Sequence, residues 1–379
     1  MDKTILIVAG EMSGDQHAAK VMAEVLRQEP HTNFWGLGGE QMLVVGMEQL
    51  YSVDRLSVTG FVEVLKHLSF FKEVMNRVVT RCERDKPDAA ILLDYPGFNM
   101  RLGKKLHDMG IPVYYYISPQ VWAWRSGRIN TIRRFVRKMF VIFPFEEEIY
   151  TRRGVPAEFV GHPLVEEMPA LQDRAAFFND FDLDPDRPLV GILPGSRTNE
   201  VSRLLKPCLN AVTIIQDLMP QAQFAVARVG HLSDTIYNEI AQKPGVRLIP
   251  AHPYEIMAYS HAAMVASGTA SLESAMLGTP MVVIYKISPL SYLLARMLVE
   301  VEHIAMPNLV YGDRVVPELL QSHANGANIA SWILTYLGDK SYTSQVKSKL
   351  HTIREKLGLP GGARRVAEGI LTDLNAGKS

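Results

Sequence analysis

Cysteine is nearly absent: the 379 residues include only Cys82 and Cys208. The two lie far apart and have no neighbours at ligand spacing. This excludes a Cys-based zinc site, fits a reducing compartment and leaves two free thiols. An excess of charge of one sign is also lacking. Lys plus Arg and Asp plus Glu both number 40, so the net charge is zero and a nucleic-acid partner held by overall charge is not expected. No run reaches the roughly 18 uninterrupted apolar residues of a membrane span. The first ten residues hold an apolar stretch too short for a signal peptide, and Glu11 and Asp15 follow at once, so they read as a first strand. The dinucleotide fingerprint is missing as well. Gly10-Glu-Met-Ser-Gly14 places acidic residues where a pyrophosphate would have to approach, and Gly36-x-Gly38-Gly39 lacks both the third glycine and the acidic residue about twenty positions on. Nicotinamide chemistry is set aside.

What is present is globular composition, 47% hydrophobic and 21% charged, on a chain long enough for two domains. Apolar segments at Thr4 to Ala9, Asn33 to Trp35, Ala89 to Leu93, Val113 to Ile117 and Met139 to Phe143 read as strands. Helical patterns such as Asp15 to Gln28 and Phe61 to Arg84 alternate with them. That alternation predicts a parallel, doubly wound sheet. Pro163, Pro169, Pro185 and Pro188 then mark an entry into a second series, with strands at Leu189 to Leu193, Gln223 to Ala227, Val246 to Ile249, Ala262 to Ala266 and Met281 to Ile284. After Pro317 the pattern is helical. The fold class is α/β, two doubly wound Rossmann-like domains facing a central cleft. Residues 1–165 form the first, 186–340 the second, and 341–379 are C-terminal helices that pack back on the first domain or on a partner subunit. Ligands in such sheets bind at the carboxyl ends of the strands.

Two loops there suit an anion. Val265-Ala-Ser-Gly-Thr-Ala-Ser-Leu-Glu273 passes from a strand through Ser267, Gly268, Thr269 and Ala270 into a helix whose first amides are free for a diphosphate. Glu273 is read in the first turn, within reach of sugar hydroxyls; the alternative is that it only complements the helix dipole. Leu189-Val-Gly-Ile-Leu-Pro-Gly-Ser-Arg197 repeats the design, and Arg197 supplies a forked cation suited to phosphate. In the first half, Asp94 follows a buried strand directly, in Leu92-Leu-Asp-Tyr-Pro-Gly-Phe-Asn99. Partial burial would raise its pKa toward that of a working base. Equally, Asp94 could cap the helix that follows. Ser118-Pro-Gln-Val-Trp-Ala-Trp-Arg125 sets Trp122 and Trp124 beside Arg125, an arrangement suited to sugars or acyl chains or else to a structural turn. Arg128, Arg133, Arg134, Arg137 and Lys138 follow, and suit a phosphate or an anionic membrane surface, or form a solvated face. His162, between Gly161 and Pro163, either assists in the cleft or pins a hinge. Residues 56–71 and 285–301 either meet lipid or pack in the core.

Together these segments resemble the lipid-A-disaccharide synthase family, inverting glycosyltransferases of lipopolysaccharide biosynthesis, over nearly the whole chain. The matching motifs are Ala9-Gly-Glu-Met-Ser-Gly-Asp15 with Ser13, Asp94-Tyr-Pro-Gly-Phe-Asn99, the Trp122 to Arg125 segment, Phe159-Val-Gly-His-Pro163, Leu193-Pro-Gly-Ser-Arg197, Ser267-Gly-Thr-Ala270 with Glu273, and Met306-Pro-Asn-Leu309. The resemblance implies a glycosyltransferase-B fold with the acceptor on the first domain and UDP on the second. The donor would be UDP-2,3-diacylglucosamine and the acceptor 2,3-diacylglucosamine 1-phosphate. Asp94 would be the base, Arg197 and the Gly268 to Ala270 amides would hold the diphosphate, Glu273 the ribose, and Asn308 would lie near the nucleotide. Ser13 and His162 are further cleft candidates. No cofactor is implied, and the chain is read as lacking an Asp-x-Asp metal motif, so divalent metal should be dispensable. The resemblance further implies work at the cytoplasmic face of the inner membrane, peripherally bound, with room for a homodimer. A UDP-N-acetylglucosamine 2-epimerase shares the nucleotide loops but has no need of the tryptophans and basic cluster. A non-catalytic binder of phosphorylated lipid has no need of Arg197 and Glu273.

Overall fold

The computed structural model describes residues 2–53, 61–119, 127–241, 243–288, 292 and 302–376. The chain divides into two compact units, residues 1–166 with 357–379, and residues 167–356. The segment after His162 read as a linker therefore belongs mostly to the second unit. The C-terminal helices are shared between the units. Lys340–Lys356 lies in the second unit and buries Val346, Leu350 and Ile353 there, whereas Gly362–Ala376 lies in the first.

The first unit is built on a seven-stranded sheet in the order β3-β2-β1-β4-β5-β6-β7. In chain order its strands are β1 Thr4–Ala9, β2 Asn33–Gly38, β3 Glu48–Ser52, β4 Ala89–Leu93, β5 Val113–Tyr116, β6 Lys138–Val141 and β7 Ala157–Phe159. Every pairing is parallel. Helices cover both faces of such a sheet, so its inner strands are apolar on both sides. β4 is buried at all its positions, Ala-Ala-Ile-Leu-Leu. One face is covered by the helices Met12–Gln28 and Gly362–Ala376, whose Ala18, Val21, Met22, Val25, Val366, Ile370 and Leu371 pack against Ile5, Ile7 and Ile91.

β2 runs past its expected end at Trp35 to Gly38. Gly36 allows this: with φ at 158° its Cα passes so close to the Ile7 carbonyl that a Cβ would stand 1.8 Å from the oxygen. The Gly39 turn that follows is tied down by Asp15. This buried carboxylate accepts the amides of Gly39 at 2.6 Å, Gln41 at 3.0 Å and Met42 at 3.2 Å, capping the short helix Glu40–Val44. Asp15 thus serves the architecture. Asp15→Ala leaves those donors without their acceptor and is expected to cost about 3 kcal/mol, read as lost hydrogen-exchange protection at Gln41 and Met42. Unchanged protection would show the cap to be dispensable.

The second unit carries a six-stranded parallel sheet, β10-β9-β8-β11-β12-β13. Its strands are β8 Leu189–Leu193, β9 Gln223–Arg228, β10 Val246–Pro250, β11 Ala262–Ala266, β12 Met281–Tyr285 and β13 Glu318–Leu320. β13 corrects the helical reading after Pro317. In both sheets the winding reverses beside the first strand, between β1 and β4 and again between β8 and β11. Loops leaving those carboxyl ends diverge and leave a crevice for ligand.

Candidate active site

At the first crevice the structure brings together Gly10 and Glu11, which leave β1, and Asp94 and Tyr95, which leave β4. Asp94 and Tyr95 have φ of 43° and 44°, a left-handed conformation that costs a non-glycine residue on the order of 1 kcal/mol or more. The helix Pro96–Asp108 begins beyond them with Tyr95 at its N-cap and no side-chain cap, so Asp94 does not serve as the cap. Its carboxyl is pushed above the ordinary carboxylate range by burial first and by the charge of Glu11 second, against a smaller opposite pull from the Tyr95 amide and His17. A raised pKa suits a group that must take a proton near neutrality. The Tyr95 ring lies over Gly10, where a Cβ would meet its carbons at 2.2 to 2.5 Å, and against Phe71 and Phe98. Burial and Glu11 push the Tyr95 phenol to about 12. The effect of Glu11 on Asp94 was not evident from the sequence. It comes from the pairing of β1 with β4, which brings residues 83 positions apart to one sheet edge.

Ser13 is exposed in the first turn of Met12–Gln28. His162 is buried and engaged. Its Nδ1 accepts the Leu164 amide at 3.1 Å, its own amide donates to the Leu357 carbonyl at 2.9 Å, and its ring packs on Phe143. That is the pinning arrangement, fastening the return of the chain to the first unit. The basic cluster divides. Arg137 reaches Asp373 at 2.8 Å and Lys138 reaches Glu158 at 2.5 Å, which serves the final helix and β7. Arg133 and Arg134 are exposed and Arg128 is half-buried. Trp122, Trp124 and Arg125 lie outside the described residues, as do residues 56–60 and most of 289–301 from the two apolar segments. Among the described residues no helix is long and apolar enough to cross a membrane.

At the second crevice, β11 ends at Ala266 and Gly268 caps the helix Thr269–Met276. Gly268 has φ of 146°, and a Cβ there would meet nothing within 4 Å among the described residues. The loop is open on the side where the helix presents the amides of Thr269 and Ala270, which have no intrahelical acceptor. Ser267 is held by its amide on the Ile284 carbonyl at 3.0 Å. Glu273 sits one turn deeper than the sequence suggested. Its carboxyl is raised by burial and held down in part by the Tyr254 hydroxyl, which donates to Oε1 at 2.8 Å. Tyr254 is thereby a participant that sequence spacing did not mark. Across the crevice Arg197 caps the helix Thr198–Leu218, largely exposed, with its guanidinium on Glu200 at 2.9 Å. Glu200 also accepts the Ser196 amide at 3.2 Å and so shapes the loop. Asn308 is fully buried. Its Oδ1 accepts the amides of Val315 and Val316, and its Nδ2 donates to the Val316 carbonyl and to Glu318. The amide is spent on fastening the helix Met306–Tyr311 to β13.

An Asp-x-Asp alternation does occur elsewhere, in Asp180 to Asp186, which corrects the reading that the chain lacks one. It precedes β8, at the end of that strand away from Arg197. Asp182 is paired with Arg247 at 2.5 Å and Asp184 accepts the Asp186 amide at 2.9 Å, so the run is spent on turn chemistry.

Two all-parallel sheets, each reversing its winding beside its first strand, define the class as the glycosyltransferase-B fold. The calicheamicin glycosyltransferase CalG4 superposes with a TM-score of 0.61 at 14% identity, over 99% of both chains. The UDP-GlcNAc 2-epimerase from Neisseria meningitidis, solved bound to UDP-GlcNAc, superposes at 0.63 and 13% identity, over 97% of this chain and 100% of that one. The particular family follows from the sequence itself. The chain belongs to the lipid-A-disaccharide synthetase family, whose model matches residues 5–361. It is 44% identical to the lipid-A-disaccharide synthase of Syntrophus aciditrophicus, over 98% of this chain and 97% of that one. It is 40% identical to that of Geobacter metallireducens over the same shares. It is a glycosyltransferase.

Proposed function

We propose that the protein transfers 2,3-diacylglucosamine from UDP-2,3-diacylglucosamine to the 6-hydroxyl of 2,3-diacylglucosamine 1-phosphate, giving the β-1,6-linked disaccharide 1-phosphate and UDP. Asp94 takes the proton of the 6-hydroxyl as its oxygen attacks the anomeric carbon. The bond from that carbon to the diphosphate breaks on the opposite face, and UDP leaves with the electron pair. One displacement inverts the anomeric centre. Arg197 and the amides of Gly268 to Ala270 neutralise the charge that develops on the departing diphosphate. Glu273 accepts a ribose hydroxyl on the oxygen that Tyr254 does not occupy, and Asn308 acts at a distance by fixing the helix Met306–Tyr311. The acyl chains of both substrates call for peripheral contact with the cytoplasmic face of the inner membrane, and the exposed Arg133 and Arg134 suit the acceptor phosphate or that surface.

The observation that most supports the reading is the raised, half-buried carboxyl of Asp94 on a left-handed elbow at a strand end. The purified protein, with chelator present, is expected to release UDP only when both acylated sugars are supplied. Release from the donor alone would argue against transfer. Glu273 adds a separate expectation. Burial raises its carboxyl and Tyr254 lowers it, so UDP affinity is lost as pH falls through the folded value. Tyr254→Phe should move that loss to higher pH and weaken UDP about three- to tenfold near neutrality, measured by calorimetry across pH. An unshifted profile would remove Tyr254 from nucleotide binding.

A further inference from the structure

Passing from a parallel strand into a proline-started helix does not require a left-handed elbow. β6 does so into the helix Pro144–Thr151 through Phe143, whose φ and ψ of −116° and 137° are ordinary extended backbone. β4 instead leaves through two consecutive left-handed residues, neither of them glycine. Such backbone persists only where its surroundings over-determine it. Here three residues on two neighbouring elements do so, all acting on the main chain of Asp94. Tyr115, from the adjacent β5, donates its hydroxyl to the Asp94 carbonyl. Asn99, one turn into the following helix, donates Nδ2 to the same carbonyl at 2.9 Å and to that of Leu93 at 3.0 Å. The Asp94 amide is held by the Tyr116 carbonyl at 3.3 Å.

Both donors are fully buried, and the Oδ1 of Asn99 has no hydrogen-bond partner among the described residues. A buried amide with an orphaned oxygen is a poor choice for packing, where an apolar side chain of similar volume serves better. What Asn99 contributes is its donor group. With the Asp94 carbonyl clamped from two sides, rotation of that residue back into the extended region would strip two donors of their acceptor. The carboxyl is then confined to one direction off the end of β4. We infer that Asn99 and Tyr115 are positioning residues for Asp94, holding its backbone left-handed so that its carboxyl meets the acceptor hydroxyl in line. The inference rests on the proposed role of Asp94 as base.

Tyr115→Phe removes one donor and leaves the carbonyl bonded to Asn99, so the elbow loosens while the fold is kept. Displacing a base by about 1 Å costs on the order of a hundredfold. kcat of Tyr115→Phe is therefore expected to fall about ten- to a hundredfold, with KM for both acylated sugars within about twofold and UDP affinity unchanged. Asn99→Ala removes two of the donated bonds and should lose more, and Asn99→Ser, which restores one donor, should recover part of it. Hydrogen exchange along β4 and β5 accompanies each assay. A kcat loss in Tyr115→Phe with native exchange protection supports positioning. Wild-type kcat, or a loss matched by lost protection, overturns it. Asp94→Asn separates the two claims. If that variant turns over normally, the base reading fails and the inference with it. If it is inactive while Tyr115→Phe is unimpaired, only the positioning inference fails.

Discussion

The Asp94→Asn variant is expected to lose about three orders of magnitude in turnover and to gain stability at neutral pH. Both effects have one cause. Burial and Glu11 hold the Asp94 carboxyl above the ordinary carboxylate range, so the folded protein binds this proton more tightly than the unfolded chain does. The stability this contributes is complete at pH below the unfolded value of about 4 and is lost as pH rises through the raised folded value. Near neutrality the wild type therefore carries an ionised carboxylate in a site that disfavours it, and asparagine removes that cost. Asparagine also tolerates the left-handed backbone better than alanine, which would relax the elbow as well as delete the base. Thermal unfolding should separate variant from wild type little at pH 4 and clearly at pH 7. UDP affinity should be kept, because the loops proposed to hold the nucleotide belong to the other unit. A gap that widens toward acid, or turnover within tenfold of wild type, would contradict the assignment.

Arg197→Ala carries the second large effect. The guanidinium is mostly exposed and, among the described residues, its acidic partner is Glu200, so losing a surface pair of this kind changes stability by less than about 1 kcal/mol. Its catalytic loss is far larger. A cation aimed at a departing diphosphate acts on charge that grows only during bond breaking, and removing such a donor costs about a hundred- to a thousandfold in kcat. Arg197→Lys should recover part of this, because a point charge replaces the forked guanidinium. Steady-state kinetics with donor and acceptor varied separately decides the matter. A defect confined to KM for the acceptor would place Arg197 away from the leaving group.

The strands that could be read most closely from sequence are those buried on both faces. β1, β4, β8 and β11 have the bounds expected of them, because an unbroken apolar run between turn residues has few alternatives. β3, β7 and β13 were not legible. They are short, partly exposed and carry polar residues such as Glu48, Glu158 and Glu318. Loops were legible as turns: Pro194-Gly195-Ser196-Arg197 and Ser267 to Ala270 stand where expected, between the ends of β8 and β11 and the helices that follow. What spacing could not convey was the set of partners brought by neighbouring strands. Glu11 reaches Asp94 through the pairing of β1 with β4, Tyr115 reaches it through β5, and Tyr254 reaches Glu273 from a helix 19 residues earlier. Asn308 illustrates the same limit from the other side, since its motif suggested a ligand and its hydrogen bonds are all internal.

The most direct measurement is the linkage of the product formed by the purified protein from the two acylated sugars, assigned by NMR from its anomeric coupling and carbon connectivity. A single β-1,6 disaccharide 1-phosphate, formed in equal amount with UDP, is the predicted result. An α linkage would contradict inversion through Asp94, and a donor recovered with C2 epimerised would place the chemistry with that of the structurally similar epimerases instead.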